Sequence, residues 1–149
     1  MARPLVVAVL ESMWDWRGMT SGAGYDRAPP HFVINRDNFS GRRLYRIVGD
    51  GPRLLVTNAC PQLVTRASEH GTPDPDWLRA NLKELEGFSM LLLCGKVAQK
   101  TFRDTEIIYP KDRTIEMMHP AARMWTNKML DEATARVAKA LESETTAAA

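Results

Sequence analysis

Cysteine is scarce in this chain: Cys60 and Cys94 are the only two in 149 residues, and each sits inside an apolar stretch. Two thiols are too few for a four-cysteine zinc or iron–sulfur site. Their surroundings suit buried, reduced side chains rather than a disulfide framework, which points to a cytoplasmic protein. Long hydrophobic runs are missing as well. Leu5 to Leu10 and Met90 to Leu93 fall far short of the roughly 20 apolar residues that cross a bilayer, so the expectation is a soluble protein with no membrane partner. The run after Met1-Ala2-Arg3-Pro4 meets Glu11 at once and no small-residue cleavage site follows, so it reads as a first strand rather than a leader. Neither sign of charge dominates: a net charge of +2 and a pI near 8.7 allow a nucleic-acid partner without requiring one. His31, His70 and His119 lack metal-ligand spacing, and neither a P-loop nor a GxGxxG pattern occurs; no metal and no cofactor are expected.

What is present is an ordinary globular composition, 44% hydrophobic and 26% charged. At this length it predicts one domain over residues 1–142 and a disordered tail over 143–149. Four segments read as strands: Leu5 to Leu10, Arg53 to Asn58, Ser89 to Cys94 and Thr114 to His119. The first three are nearly continuous apolar runs, as in strands covered on both faces. Helical patterns lie between them at Ser40 to Val48, Asp76 to Leu85 and Lys96 to Phe102, and a last helix runs from about Ala122 to Leu141 with Met129, Ala133, Val137 and Leu141 on one stripe. The alternation predicts an α/β fold, a three-layer α/β/α sandwich around a central, mostly parallel four-stranded sheet. Ser12 to Asn38 is a long irregular stretch with Gly18, Gly22, Gly24 and Pro29-Pro30; a connection of that length in a compact domain is either functional or disordered.

In parallel α/β sheets ligands bind outside the carboxyl ends of the strands. The residues just past those ends are Glu11, Ser12, Trp14, Asp15 and Trp16, then Thr57, Asn58 and Pro61, then Gly95, then His119 and Pro120. A carboxylate, an amide, indoles and an imidazole on one edge suit a planar polar ring, paired along its edge and stacked on its face. Each residue also has a plain structural reading. Asn58 can cap the turn after its strand, His119 can be a loop histidine before a proline, and Trp125 can anchor the last helix. Arg42, Arg43 and Arg46, like Lys96, Lys100 and Arg103, form either a solvated face or a set of phosphate contacts.

The strand Leu54-Leu55-Val56-Thr57-Asn58 resembles the apolar strand ending in Asn that carries the base-reading amide of uracil-DNA glycosylases. Leu91-Leu92-Leu93-Cys94-Gly95-Lys96-Val97-Ala98-Gln99-Lys100 resembles their strand-Gly-helix element, and His119-Pro120 the His-Pro that opens their DNA-wedge loop. Asn38-Phe39-Ser40-Gly41 is similar to the turn whose ring stacks on the extruded base. These matches come in the family's order and cover most of the chain from Phe39 to about Trp125. The family's first motif, a Gly-rich turn with an Asp or Asn and a Pro, is not matched: Glu11-Ser12-Met13-Trp14-Asp15-Trp16-Arg17-Gly18 stands in its place.

The resemblance implies hydrolysis of the N-glycosidic bond of uracil or a modified pyrimidine flipped out of DNA, by a monomer. Asn58 would read the base edge, and His119 would donate to a base carbonyl oxygen as negative charge develops there. Asp15, or failing that Glu11, would position water or offset the sugar cation. Phe39 or Trp14 would stack on the base; Arg123, Met124 and Lys96 would contact DNA, with Arg123, Met124 or Trp125 filling the gap in the duplex. Two other readings share the same residues: a non-catalytic relative that binds DNA or a nucleotide, and an enzyme of modified-nucleotide metabolism on the same fold.

Overall fold

A computed structural model describes residues 3–14, 28–64 and 71–148. The elements are β1 (Leu5–Leu10), β2 (Met13–Trp14), α1 (Phe39–Val48), β3 (Arg53–Asn58), β4 (Leu63–Val64), α2 (Pro75–Glu84), β5 (Met90–Cys94), α3 (Lys96–Asp104), β6 (Thr114–Met117) and α4 (Asn127–Ala148), with a single 3₁₀ turn at Lys111–Arg113. Four strands form one sheet in the order β3-β1-β5-β6, and every neighbouring pair is parallel: Leu10 lies opposite Asn58, Val9 opposite Leu93, and Cys94 opposite Met117.

The apolar runs are continuous because both faces of the sheet are covered. Val6, Ala8 and Leu10 pack on one side with Val56, Leu92 and Cys94 against Leu44, Ile47 and Val48 of α1 and Leu130, Ala133 and Val137 of α4. Val7 and Val9 pack on the other side with Leu91 and Leu93 against Leu78 and Leu82 of α2 and Ala98 of α3. Each fully buried Val, Leu or Ile in these layers contributes about 1.5–3 kcal/mol of apolar burial. Handedness explains the layering. The chain moves from β1 outward to β3, then reverses across β1 to β5 and on to β6. Right-handed crossovers therefore place α1 on one face and α2 and α3 on the other. The reversal opens a crevice outside the carboxyl ends of β1 and β5, the position where ligands bind such sheets.

The helix starts follow from their caps. Asn38 accepts from the Gly41 amide at 2.6 Å to open α1, and Asp74 accepts from the Trp77 amide at 3.0 Å to open α2, with Pro75 in its first turn. Edge strand β3 is not left open. Phe32 exchanges both backbone bonds with Val56 at 2.9 Å, and the Thr57 hydroxyl donates to the Pro30 carbonyl at 2.7 Å.

The sheet and its layers bear out the fold read from the sequence; most boundaries shift by one or two residues, and the differences that bear on the site are these. β6 ends at Met117, so His119 stands two residues beyond the strand. The last helix begins at Asn127 rather than Ala122, because the Thr126 hydroxyl accepts from the Met129 amide at 3.2 Å and residues 119–125 are held in a turn. Its buried stripe is Leu130, Ala133 and Val137, so Met129 gives way to Leu130. Helix α4 continues through the stretch read as a tail, in keeping with the helix-forming Glu and Ala residues there. A two-stranded parallel pair, β2 with β4, was not legible in the sequence: Met13 lies opposite Leu63 and Trp14 opposite Val64. No helix among the described residues is long and apolar enough to cross a membrane.

Candidate functional site

Asn58 is the last residue of β3 and is completely buried. Its side chain points to the same face as Val56 and Leu54, the face covered by α1 and α4. Among the described residues neither the amide nitrogen nor the amide oxygen has a hydrogen-bond partner. A buried amide left unpaired costs about 1–3 kcal/mol, and the capping role open to it from sequence is not the one it plays. The neighbouring buried amide behaves differently: on the opposite face Asn81 donates to the Thr57 hydroxyl at 3.4 Å. The other unpaired buried oxygen among the described residues is the Ser12 hydroxyl at the end of β1. Burial raises the pKa of the Cys60 thiol, and the Ser12 hydroxyl beside it opposes that rise without meeting hydrogen-bond geometry.

His119 stands across the sheet from Asn58, beyond the opposite edge strand. Three strand spacings separate those edges, roughly 14 Å, with β1 and β5 between them. The backbone of residues 119–122 forms a tight turn in which the Ala122 amide donates to the His119 carbonyl at 2.9 Å. The same carbonyl accepts from the Trp125 indole at 2.9 Å, and Arg43 of α1 donates to the carbonyls of Pro120 and Ala122 at 2.7 and 2.6 Å. The Ala121 amide donates to His119 Nδ1 at 3.0 Å, which assigns the neutral ring its proton on Nε2. Burial lowers the His119 pKa below 6.5, and the nearby Glu11 carboxylate partly opposes that shift. The result at neutral pH is an uncharged imidazole that donates through Nε2–H.

Between the two stand the ends of β1 and β5. Gly95 follows β5 with φ at +97°, and a Cβ built on it would lie 3.5 Å from His119 Cβ, so the backbone and the imidazole pass side by side. Gln99 of α3 ties the floor together by donating to the carbonyls of Leu93 and Met117 at 3.4 and 3.2 Å. Glu11 carries its carboxylate past β1, near enough to act on both His119 and Cys60. Burial raises the Cys60 pKa and pushes Cys94 up to about 12, so both thiols stay protonated at neutral pH. Among the described residues no three His, Cys, Asp or Glu side chains gather as metal ligands do.

A shallow groove of about 390 Å³ opens between α1 and the start of α4, lined by Phe39, Arg42, Arg43, Arg46, Trp125, Asn127 and Leu130. Phe39 is half exposed, and the Arg43 guanidinium sits 4.1 Å from its ring centroid, so one ring face is taken. Gly41 lets the start of α1 approach the preceding loop: a Cβ there would fall 1.9 Å from the Asn35 carbonyl oxygen.

The residues singled out from sequence are thus partly gathered. Asn58, Glu11, Gly95 and His119 share the carboxyl edge, and Phe39 lines the groove beside the His119 turn. Arg123 and Met124 are exposed in the segment leading to α4, and Lys96 is exposed at the first position of α3. The backbone of Trp14 belongs to β2, while Asp15 lies outside the described residues. Sequence reasoning missed the bracing of the His119 turn by Arg43 and the Trp125 indole; no local pattern marks a bond between Arg43 and residues 77 or more positions away. Comparison with protein-family models and with curated proteins gives no match.

Proposed function

We propose that this protein is a DNA glycosylase of the uracil-DNA glycosylase type, hydrolysing the N-glycosidic bond of uracil or a modified pyrimidine turned out of DNA. The observation that carries this reading is the fully buried amide of Asn58 at a strand end, unpaired among the described residues. An amide whose donor and acceptor are both open pairs with a base edge that offers an acceptor beside a donor, as the edge of uracil does. The family resemblance of Leu54 to Asn58, Leu91 to Lys100 and His119-Pro120 supports the same assignment.

In this mechanism the bond from the sugar C1′ to the base nitrogen breaks with its electron pair leaving on the base. His119 Nε2–H donates to a base carbonyl oxygen as it gains negative charge; a neutral donor already in place costs no reorganisation. A carboxylate offsets the cationic sugar and orients the water that adds to C1′, and the proton that water loses balances the one the base takes up. Glu11 stands at the strand ends for this role, and Asp15 follows it in the chain.

Oligonucleotides carrying uracil, 5-hydroxymethyluracil or other modified pyrimidines, treated with alkali after incubation, test the reading. Abasic-site cleavage is expected, reduced roughly 10²–10³-fold by His119→Ala and lost with Asn58→Leu; Glu11→Gln and Asp15→Asn identify the carboxylate. Absence of cleavage on every base would refute the enzyme and leave a binding protein.

A further inference from the structure

We propose that the groove between α1 and the start of α4 binds the phosphodiester backbone of a nucleic-acid strand, next to the site that takes its base. The inference rests on the reading of that site as one for a nucleotide within a strand, but its own residues carry it. Arg42, Arg43 and Arg46 line the groove together with Phe39, Trp125 and Asn127. Among the described residues one carboxylate answers the three guanidinium groups: Asp131 lies 3.0 Å from Arg46, and Arg46 also donates to Asn127 at 3.1 Å. Arg43 spends Nη1 on the carbonyls of Pro120 and Ala122, which orient it without neutralising it and leave its other N–H groups available. Arg42 is exposed and pairs with no acid among the described residues.

Two positive charges therefore remain in one concave place, on a chain whose net charge is only +2. The arrangement works against the helix that bears it. Arg42 and Arg46 stand at i, i+4 and Arg43 and Arg46 at i, i+3, where like charges repel. Guanidinium forks match the paired oxygens of a phosphodiester, and Phe39 and Trp125 line the same groove. Position adds the remaining argument. Arg43 and Trp125 both hold the turn that presents His119, so a strand whose base reaches His119 runs its flanking phosphates along this wall.

Binding of a fluorescent single-stranded 12-mer with an abasic analogue at its centre tests this without calling on the base site. With a slope of about 0.7 per phosphate contact on a single strand, losing one contact across the 1.3 decades between about 0.05 and 1 M salt removes nearly one decade of affinity at the low end. Arg42→Gln is expected to weaken binding about eightfold at about 0.05 M salt and to flatten the slope by about 0.7. Asp131→Asn, which releases Arg46, is expected to strengthen binding and steepen the slope. Arg53→Gln, which removes the same charge at the far end of β3, is expected to leave both unchanged, and absence of glycosylase activity in the unsubstituted chain with Arg42-dependent binding retained would refute the base-site reading alone. Unchanged affinity and slope in Arg42→Gln, no binding by the unsubstituted chain, or equal Arg42-dependent binding of a polyglutamate peptide would each overturn the groove proposal.

Discussion

Replacing Asn58 with leucine is expected to make the protein more stable while destroying its binding site. Asparagine and leucine side chains have the same number of heavy atoms and the same branch point, so the substitution keeps the shape of a residue with no exposed surface. It removes two polar atoms that have lost water and gained no partner, a burden of about 1–3 kcal/mol. Tetrahedral methyls in place of a flat amide return part of that gain through tighter packing against the Leu10 and Val56 layer, typically under about 1.5 kcal/mol. The net expectation is a gain of about 1 kcal/mol, or roughly 2–4 °C in Tm for a chain of this size. Urea unfolding of the two proteins, with equal m-values, measures it. Asn81→Leu is the control: that amide already bonds Thr57, so the substitution is expected to destabilise by about 0.5–1.5 kcal/mol. A loss of about 1 kcal/mol or more in Asn58→Leu would refute the reasoning. It would mean that the amide is satisfied in solution and belongs to the architecture rather than to a ligand.

The His119 imidazole resists protonation in the folded protein because it is partly buried, so the unfolded chain takes up the proton first as pH falls. Stability is therefore expected to be full above about pH 6.5 and to decline below it until the folded-state pKa is passed; His119→Gln is expected to remove that part of the slope in urea melts at pH 5 to 8, and an unchanged slope would contradict the burial argument. Gly41→Ala is expected to destabilise by about 1–3 kcal/mol, since the new methyl would collide with the Asn35 carbonyl and the start of α1 would have to move. Thermal melting checks this, with Gly51→Ala, which meets nothing within 4 Å, as the comparison.

The apolar runs and their spacing by themselves placed strands buried on both sides at Leu5 to Leu10, Arg53 to Asn58 and Ser89 to Cys94 and a helix from Asp76, within a residue of where the structure has them, because periodicity acts over a few residues. The same local information placed Asn58, Gly95 and His119 at strand ends, hence on one edge. It left Asn58 equally able to cap a turn or read a ligand. Only the tertiary structure separates those roles, since whether an amide is paired depends on what the other layers bring to it. The state of His119 was equally hidden: its tautomer comes from the Ala121 amide and its depressed pKa from the burial that packing imposes. The groove was beyond reach for a related reason. Arg43 and Pro120 are 77 positions apart and meet because the chain reverses direction at β1, placing α1 and α4 on one face. That choice is set by the order and handedness of the crossovers and has no signature in any short stretch of sequence.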